Sequence, residues 1–276
     1  DMAGSIEPML ASLPSLCATF VPGTSEFSAL YTATPLEAPV HRQDGDIAWL
    51  FYTSGTTGRP KGVMQTHGNL LAMITCYFID VDATSPDDTI VYAAPMSHAA
   101  GMLNFPHVIK AARHVVPRSE GFDSAELLTL AARYGRVSLF AAPTMIKRLV
   151  DYIESSGADA TGFGTIVYGG GPMYVEDLRH AQRVIGNRFA QIYGQGESPM
   201  TITALSRQHL SDHTHPRYEQ RISSVGVAQT LVEVRVAGPK GDTLPLGVDG
   251  EVLVRGASVM KGYWNNPDAT AKTIRE

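Results

Sequence analysis

The chain is expected to be an α/β protein, a mainly parallel sheet flanked by helices and followed by a partial β-rich, barrel-like subdomain. Three observations lead there. From Asp46 onward, short apolar runs alternate with amphipathic stretches, the pattern of strands joined by crossover helices. After about Arg217 that alternation gives way to short strands and turns. The 276 residues, 44% hydrophobic and 18% charged, are enough for a sizeable core in one large domain or two smaller ones.

Taken in order, residues 1–45 are loop-rich, with Pro14, Pro22, Pro35 and Pro39 interrupting any long helix, and read as the remnant of a preceding subdomain. Residues 46–216 form the α/β part. "IAWLFYT" opens it as a strand, and a helix follows from about Gly68. "TIVYAAP" and "HVVP" are strands, a helix begins at about Ser124, and "VSLFAAP" is a strand before a helix from Thr144. "TIVYGGG", a helix from about Val175, and "FAQIYG" complete the series. In such sheets, ligand groups gather in the loops after the carboxyl ends of the strands. Residues 217–276 hold "TLVEVRVAGPKGD" and "GEVLVRGASVMKGYW", a β unit cut partway, so the segment after about Gly262 is expected to be loose.

Composition excludes several classes. A net charge of -5 without a run of Lys and Arg argues against nucleic acid as a partner. Apolar stretches are broken by Gly, Pro or charge well short of a membrane span, and the first residues lack the basic start of a signal peptide, so a cytoplasmic protein is expected. Cys17 and Cys76 form no CxxC pair and read as two reduced thiols. His209, His213 and His215 have spacings that a metal accepts, yet they sit in a polar connector ahead of Pro216 and read as a solvated loop. Oligomeric state is open, a homo-oligomer included.

One loop carries the chemistry. Within "LFYTSGTTGRPKGVMQTHGNL", residues Thr53, Ser54, Gly55, Thr56, Thr57, Gly58, Arg59, Pro60, Lys61 and Gly62 supply three glycines and four hydroxyls behind an apolar strand. Small residues let backbone N–H groups converge, hydroxyls donate, and Lys61 adds a cation, which together suit a polyphosphate. The Walker spacing is absent, because Arg59 follows Gly58 and Gly62 follows Lys61. A polar hairpin turn between two strands is the plainer alternative.

"YTSGTTGRPKGV" resembles the phosphate-loop signature of the adenylate-forming enzymes, the superfamily of acyl-CoA synthetases, nonribosomal adenylation domains and firefly-type luciferases. "YGGGP" from Tyr168, "YGQGES" from Tyr193 and "GEVLVRGASVMKGYWNNPDAT" from Gly250 resemble further signatures in the family's order. The resemblance implies that Thr53 to Lys61 close over the β and γ phosphates of ATP. It implies that Gly169, Gly170, Gly171 and Pro172 border the adenine, with Tyr193, Gly194, Gln195 and Gly196 near the nucleotide and Glu197 on Mg2+. The family usually has Thr where Gly196 stands, so restoring that hydroxyl is expected to be tolerated and to speed adenylation. His98, in "APMSHAAGM", matches a position that closes over the reacting carboxylate. Ser97-His98-Ala99 offers no carboxylate for a substrate ammonium, which favours an unaminated acid. Met102, Leu103, Met145 and Ile146 are candidates to line an acyl tunnel, although plain core is the commoner use of such residues.

The implied activity is that of an ATP-dependent acid-CoA ligase using a carboxylic acid, ATP, Mg2+ and coenzyme A. An adenylation domain loading a carrier protein and a catalytically inactive nucleotide-binding module are the alternatives. Aryl, medium-chain and long-chain acids all stay open. The resemblance covers the middle of the family's pattern: the segment whose Asp holds the ribose and the mobile C-terminal domain whose Lys assists adenylation have no counterpart in these residues. The 276-residue chain alone is therefore expected to bind MgATP weakly and to form no thioester. Acyl-CoA formation by the purified chain in a carboxylic-acid panel would overturn that expectation.

Overall fold

The structure is a computed structural model and describes residues 3–10, 12–53 and 59–275. Contacts divide the chain into two compact units, one ending at Arg42 and one beginning at Gln43. The first holds two short helices, α1 (Ala3–Leu10) and α2 (Ser25–Ala29), and a single 3-10 turn at Leu30–Thr32. The Thr24 hydroxyl caps α2 by accepting the Phe27 N–H at 3.2 Å, an ordinary use of Thr at a helix start.

In the second unit, β1 (Ile47–Thr53) runs antiparallel to β2 (Lys61–Thr66), with Thr53 facing Lys61. This corrects the expectation that "IAWLFYT" opens the parallel series: parallel neighbours need a long crossover, whereas a short loop closes a hairpin. Helix α3 (His67–Cys76) starts with a capping box in which the Thr66 hydroxyl accepts the Asn69 N–H at 3.1 Å and Asn69 Oδ1 accepts the Thr66 N–H at 2.9 Å. A wider π turn, Tyr77–Val81, ends it.

The main sheet follows. Its strands are β3 (Thr89–Val91), β4 (Arg113–Val115), β5 (Val137–Ala141), β6 (Phe163–Tyr168), β7 (Phe189–Gln195), β8 (Ser198–Leu205) and β9 (Val227–Ala228). They lie in the order β4-β3-β5-β6-β7-β8-β9, the first five parallel and the last two antiparallel. Strand β8 went unmarked in the sequence because "SPMTITAL" carries Pro199 at its second position, close to a glycine turn, which reads as loop. Between the strands lie α4 (Ala99–Met102), α5 (Asn104–Ile109), α6 (Ser124–Tyr134), α7 (Pro143–Ser156), α8 (Val175–Ile185), α9 (Arg207–Ser211) and α10 (Tyr218–Ile222).

Helix α7 shows why these segments form helices that pack. Ile146, Leu149, Val150 and Ile153 recur at helical spacing and are all buried. Successive strand residues point to opposite faces, so Leu139, Ile166 and Phe189 join the α6–α7–α8 side, while Phe140, Val167 and Ala190 join α3, α4 and the π turn. The result is two core layers on one sheet. Met102 and Leu103 belong to the second layer and Ile146 to the first, so the four tunnel candidates do not share one wall.

Residues 217–276 are distributed over three sheets. Strand β9 extends the main sheet, β10 (Val232–Ala237) and β11 (Glu251–Gly256) form their own hairpin, and β12 (Gly262–Tyr263) adds to β2. Helix α11 (Pro267–Thr273) follows. The segment from Gly262 is anchored at its start, where Tyr263 is 3% exposed and the Trp264 N–H donates to the Gly62 carbonyl at 2.7 Å, while α11 beyond it buries no residue. Among the described residues no helix is long and apolar enough to cross a membrane.

At the β3–β4 edge, α5 buries His107 completely. Its Nδ1 makes a 2.6 Å hydrogen bond to the Leu103 carbonyl, and Nε2 is buried without a partner. Burial pushes the imidazole pKa down to about 4 from the ordinary 6.5. Between those values the unfolded chain binds a proton that the folded chain refuses, so stability falls as pH drops from about 6.5 and levels off below about 4. The loss is on the order of 3 kcal/mol. Urea denaturation across this range should show a shallower pH slope in His107→Asn; equal slopes would mean that His107 is not the group responsible.

Candidate active site

The β1–β2 hairpin sets Thr53 opposite Lys61. Ser54, Gly55, Thr56, Thr57 and Gly58, on which the phosphate grip rests, lie outside the described residues. Lys61 is the first residue of β2, so its backbone is held by strand pairing. The flanking strands do form a hairpin, pairing antiparallel up to Thr53 and Lys61.

Facing this hairpin is the turn between β7 and β8, where Gln195 pairs with Ser198 and Gly196-Glu197 form the tip. Two backbone contacts fix the tip from outside. The buried Gln65 amide on β2 donates to the Gly196 carbonyl at 2.8 Å, and the Met260 N–H donates to the Glu197 carbonyl at 2.8 Å. The Ser198 and Ser258 hydroxyls share a further hydrogen bond of 3.0 Å. Each of these removes freedom from the turn, so the Glu197 side chain leaves from a defined point.

That side chain meets Tyr263. The Tyr263 hydroxyl donates to Glu197 Oε1 at 2.5 Å and accepts from Lys61 Nζ at 3.3 Å, and the ammonium stands 4.4 Å from the centre of the Tyr263 ring. Burial, and after it the hydrogen bond to the Glu197 carboxylate, raises the Tyr263 phenol above its ordinary pKa. A cation and a carboxylate from distant parts of the sequence are thus held on one oxygen.

His98 is exposed and precedes α4; its ring lies edge-on to Phe51 with centroids 5.8 Å apart, and Nδ1 shares a 2.9 Å hydrogen bond with the Ser97 hydroxyl. Phe51 in turn borders Gly196: a β-carbon there would lie 2.9 Å from Phe51 Cδ1 and 2.6 Å from Thr53 Cγ2. Thr53 and Lys61 at the end of the β1–β2 strand pair, with His98, Gly196 and Glu197 against it, therefore share one neighbourhood. The same distances correct the expectation that a threonine at 196 is accommodated, because two β1 side chains occupy its space.

The glycines at the end of β6 have separate causes. A β-carbon on Gly169 would meet the Ile192 carbonyl at 2.5 Å, so strand packing requires that glycine. Gly170 has φ +77°, a left-handed conformation that glycine adopts without strain. Gly171 and Pro172 are exposed at the carboxyl edge of the sheet, and no close contact accounts for the glycine at 171. On β7, Tyr193 is half-buried, Gln195 is exposed, and Gly194 admits the Met200 backbone, which a β-carbon would approach at 2.4 Å.

Sequence reasoning missed Tyr263 and Gln65. Tyr263 stands inside "VMKGYW" with the surroundings of an ordinary aromatic, and Gln65 shares its strand with Lys61 and Thr66, so neither carried a local signal. The three connector histidines are not joined as ligands: among the described residues no group of three or more His, Cys, Asp or Glu is placed to hold a metal ion.

This arrangement, a parallel α/β sheet with a lysine-ended hairpin loop against a glutamate turn, is that of an adenylate-forming fold. The pattern of the family described as AMP-binding enzyme matches residues 10–264, and the chain belongs to that family. It is 37% identical over 234 residues to a feruloyl-CoA synthase of an Amycolatopsis species, covering 84% of this chain and 45% of that protein. It is 32% identical over 249 residues to a medium/long-chain-fatty-acid–CoA ligase of Mycobacterium tuberculosis, covering 90% and 42%. Among solved structures, ATP-bound MatB from Rhodopseudomonas palustris superposes with a TM-score of 0.82 at 27% identity, over 100% of this chain and 53% of that one. The chain spans about half the length of the curated relatives it matches.

Filling Gly196 tests the packing. Gly196→Thr should displace Phe51 and Thr53 and lower stability by about 1–3 kcal/mol, the usual cost of overpacking. A thermal unfolding midpoint equal to the parent's would show that the hairpin yields freely.

Proposed function

We propose that the protein is an AMP-forming acid-CoA ligase acting on a carboxylic acid, ATP and CoA. In the first step a carboxylate oxygen bonds to the α-phosphorus of ATP and the bond to the β-phosphate oxygen breaks, giving acyl adenylate and pyrophosphate. In the second, the CoA thiolate bonds to the acyl carbon and AMP leaves. The observation that carries this reading is the convergence of Lys61 and Glu197 on the Tyr263 hydroxyl in a chain of the AMP-binding family. The names of the similar proteins, a feruloyl-CoA synthase and a fatty-acid–CoA ligase, support CoA as the acceptor.

Roles follow from the chemistry each residue offers. Lys61, with Thr53, Ser54, Gly55, Thr56, Thr57 and Gly58, binds the polyphosphate through charge-assisted and backbone hydrogen bonds. Gly169, Gly170, Gly171, Pro172, Tyr193, Gly194, Gln195 and Gly196 form the adenosine side, along the carboxyl ends of β6 and β7. His98 covers the acid, and the lack of a carboxylate at Ser97 and Ala99 suits an acid without an ammonium group. Catalysis is positioning plus stabilisation of phosphate charge.

A divalent cation fits the donors present. Glu197 is a single carboxylate whose Oε2 makes no hydrogen bond among the described residues. One carboxylate suits Mg2+, which keeps waters and takes phosphate oxygens for its other positions. Bound there, it would neutralise charge on the leaving pyrophosphate.

Lys61→Ala should weaken adenylation by about 1.5–3 kcal/mol, the worth of a charge-assisted hydrogen bond. Pyrophosphate release by the full-length gene product, run over aryl, medium-chain and long-chain acids, measures this as roughly a tenfold to hundredfold loss at saturating acid. An unchanged rate would take Lys61 out of the site, and absence of release with every acid would end the ligase reading.

A further inference from the structure

We infer that Tyr263 is a positioning residue: its hydroxyl sets Glu197 for a divalent cation and couples that carboxylate to the phosphate-side ammonium of Lys61. The inference rests on the proposed roles of Glu197 and Lys61 and deepens that reading of the site. Its basis is the direction that the hydrogen bonds must take. A lysine ammonium has only protons to give and an ionised carboxylate only lone pairs, so the phenol accepts from Lys61 and donates to Glu197. Lys61 and Glu197 form no direct ion pair; one oxygen joins them.

The phenol is fixed independently of both partners. Its backbone pairs with Val63 on β2, its N–H donates to the Thr270 hydroxyl at 2.9 Å, and its ring packs with Val63 and Met260, each at most 3% exposed. Glu197 is thus gripped at Oε1, with Oε2 unbonded among the described residues and suited to a cation. Hydrogen bonds that orient a ligating carboxylate in this way commonly govern metal affinity by 10- to 100-fold. On the other side, the Lys61 ammonium also stands 4.4 Å from the centre of the Tyr263 ring, a contact that does not depend on the hydroxyl.

The test compares ATP binding with and without Mg2+, by titration calorimetry on the full-length gene product. Tyr263→Phe keeps the ring and removes only the hydroxyl. It should cut the Mg2+-dependent gain in ATP affinity by about tenfold, towards the value of Glu197→Gln, and change Mg2+-free ATP binding by less than about threefold. Tyr263→His, which keeps a ring and an N–H donor, should recover part of the gain and serves as the second variant if the Phe chain fails to fold. A Mg2+-dependent gain in Tyr263→Phe equal to the parent's, with Glu197→Gln impaired, overturns the inference and leaves the ligase reading intact. Equal loss with and without Mg2+, accompanied by a lowered unfolding midpoint, makes Tyr263 merely structural and also overturns it. No Mg2+-dependent gain in the parent chain overturns the role of Glu197 and the inference together.

Discussion

The candidate site depends on β12 lying against β2. Two residue pairs make this contact, Gly262 with Met64 and Tyr263 with Val63, and they join the C-terminal stretch of the chain to the hairpin that carries Lys61. Supporting bonds run along the seam: the Lys261 N–H donates to the Met64 carbonyl at 2.9 Å and the Met260 N–H to the Glu197 carbonyl at 2.8 Å. The backbone of one short segment thereby touches both the hairpin and the glutamate turn. Lys61, Glu197 and Tyr263 are far apart in sequence, and pairing of edge strands is what places their side chains within hydrogen-bond reach.

The main sheet supplies the rigid frame for that seam. Its inner parallel strands β3, β5 and β6 are buried on both faces, with side chains alternating between two core layers, and the glycines at its carboxyl edge answer to different demands. Gly169 and Gly194 are required by backbone packing and Gly170 by its left-handed turn. Gly171 has no such demand on it, and it lies in the strip where an adenosine is proposed to rest. Distinguishing these causes matters because a glycine-rich signature alone suggests that every glycine serves the ligand.

Gly196 illustrates how packing restricts chemistry. The family resemblance made it an absent hydroxyl, while the structure makes it a space filled by Phe51 and Thr53. The hairpin has closed over the place where a side chain would project, and Gln65 holds the Gly196 carbonyl from the same strand. The tip of the turn is thereby left to backbone groups, with the charged side chains of Lys61 and Glu197 beside it.

Much was legible in the sequence by itself: the α/β class, most strands and helices of the main sheet, and the signatures carrying Lys61, Glu197 and the glycine turn. Local periodicity and turn chemistry act within a few residues, so they mark the chain directly. Strand partners were not legible. The antiparallel pairing of β1, the return strand β8 and the addition of β12 to β2 each depend on residues distant in sequence, and nothing local reports them. Tyr263 had an ordinary aromatic's surroundings in the sequence and gained its place between Lys61 and Glu197 only from that pairing, just as Gln65 looked like a surface residue until burial gave its amide one backbone carbonyl to hold. The sequence by itself determined which chemical groups this protein carries in its signature segments, and tertiary structure decided which of them meet, because contacts across sheets are set by packing and not by spacing along the chain.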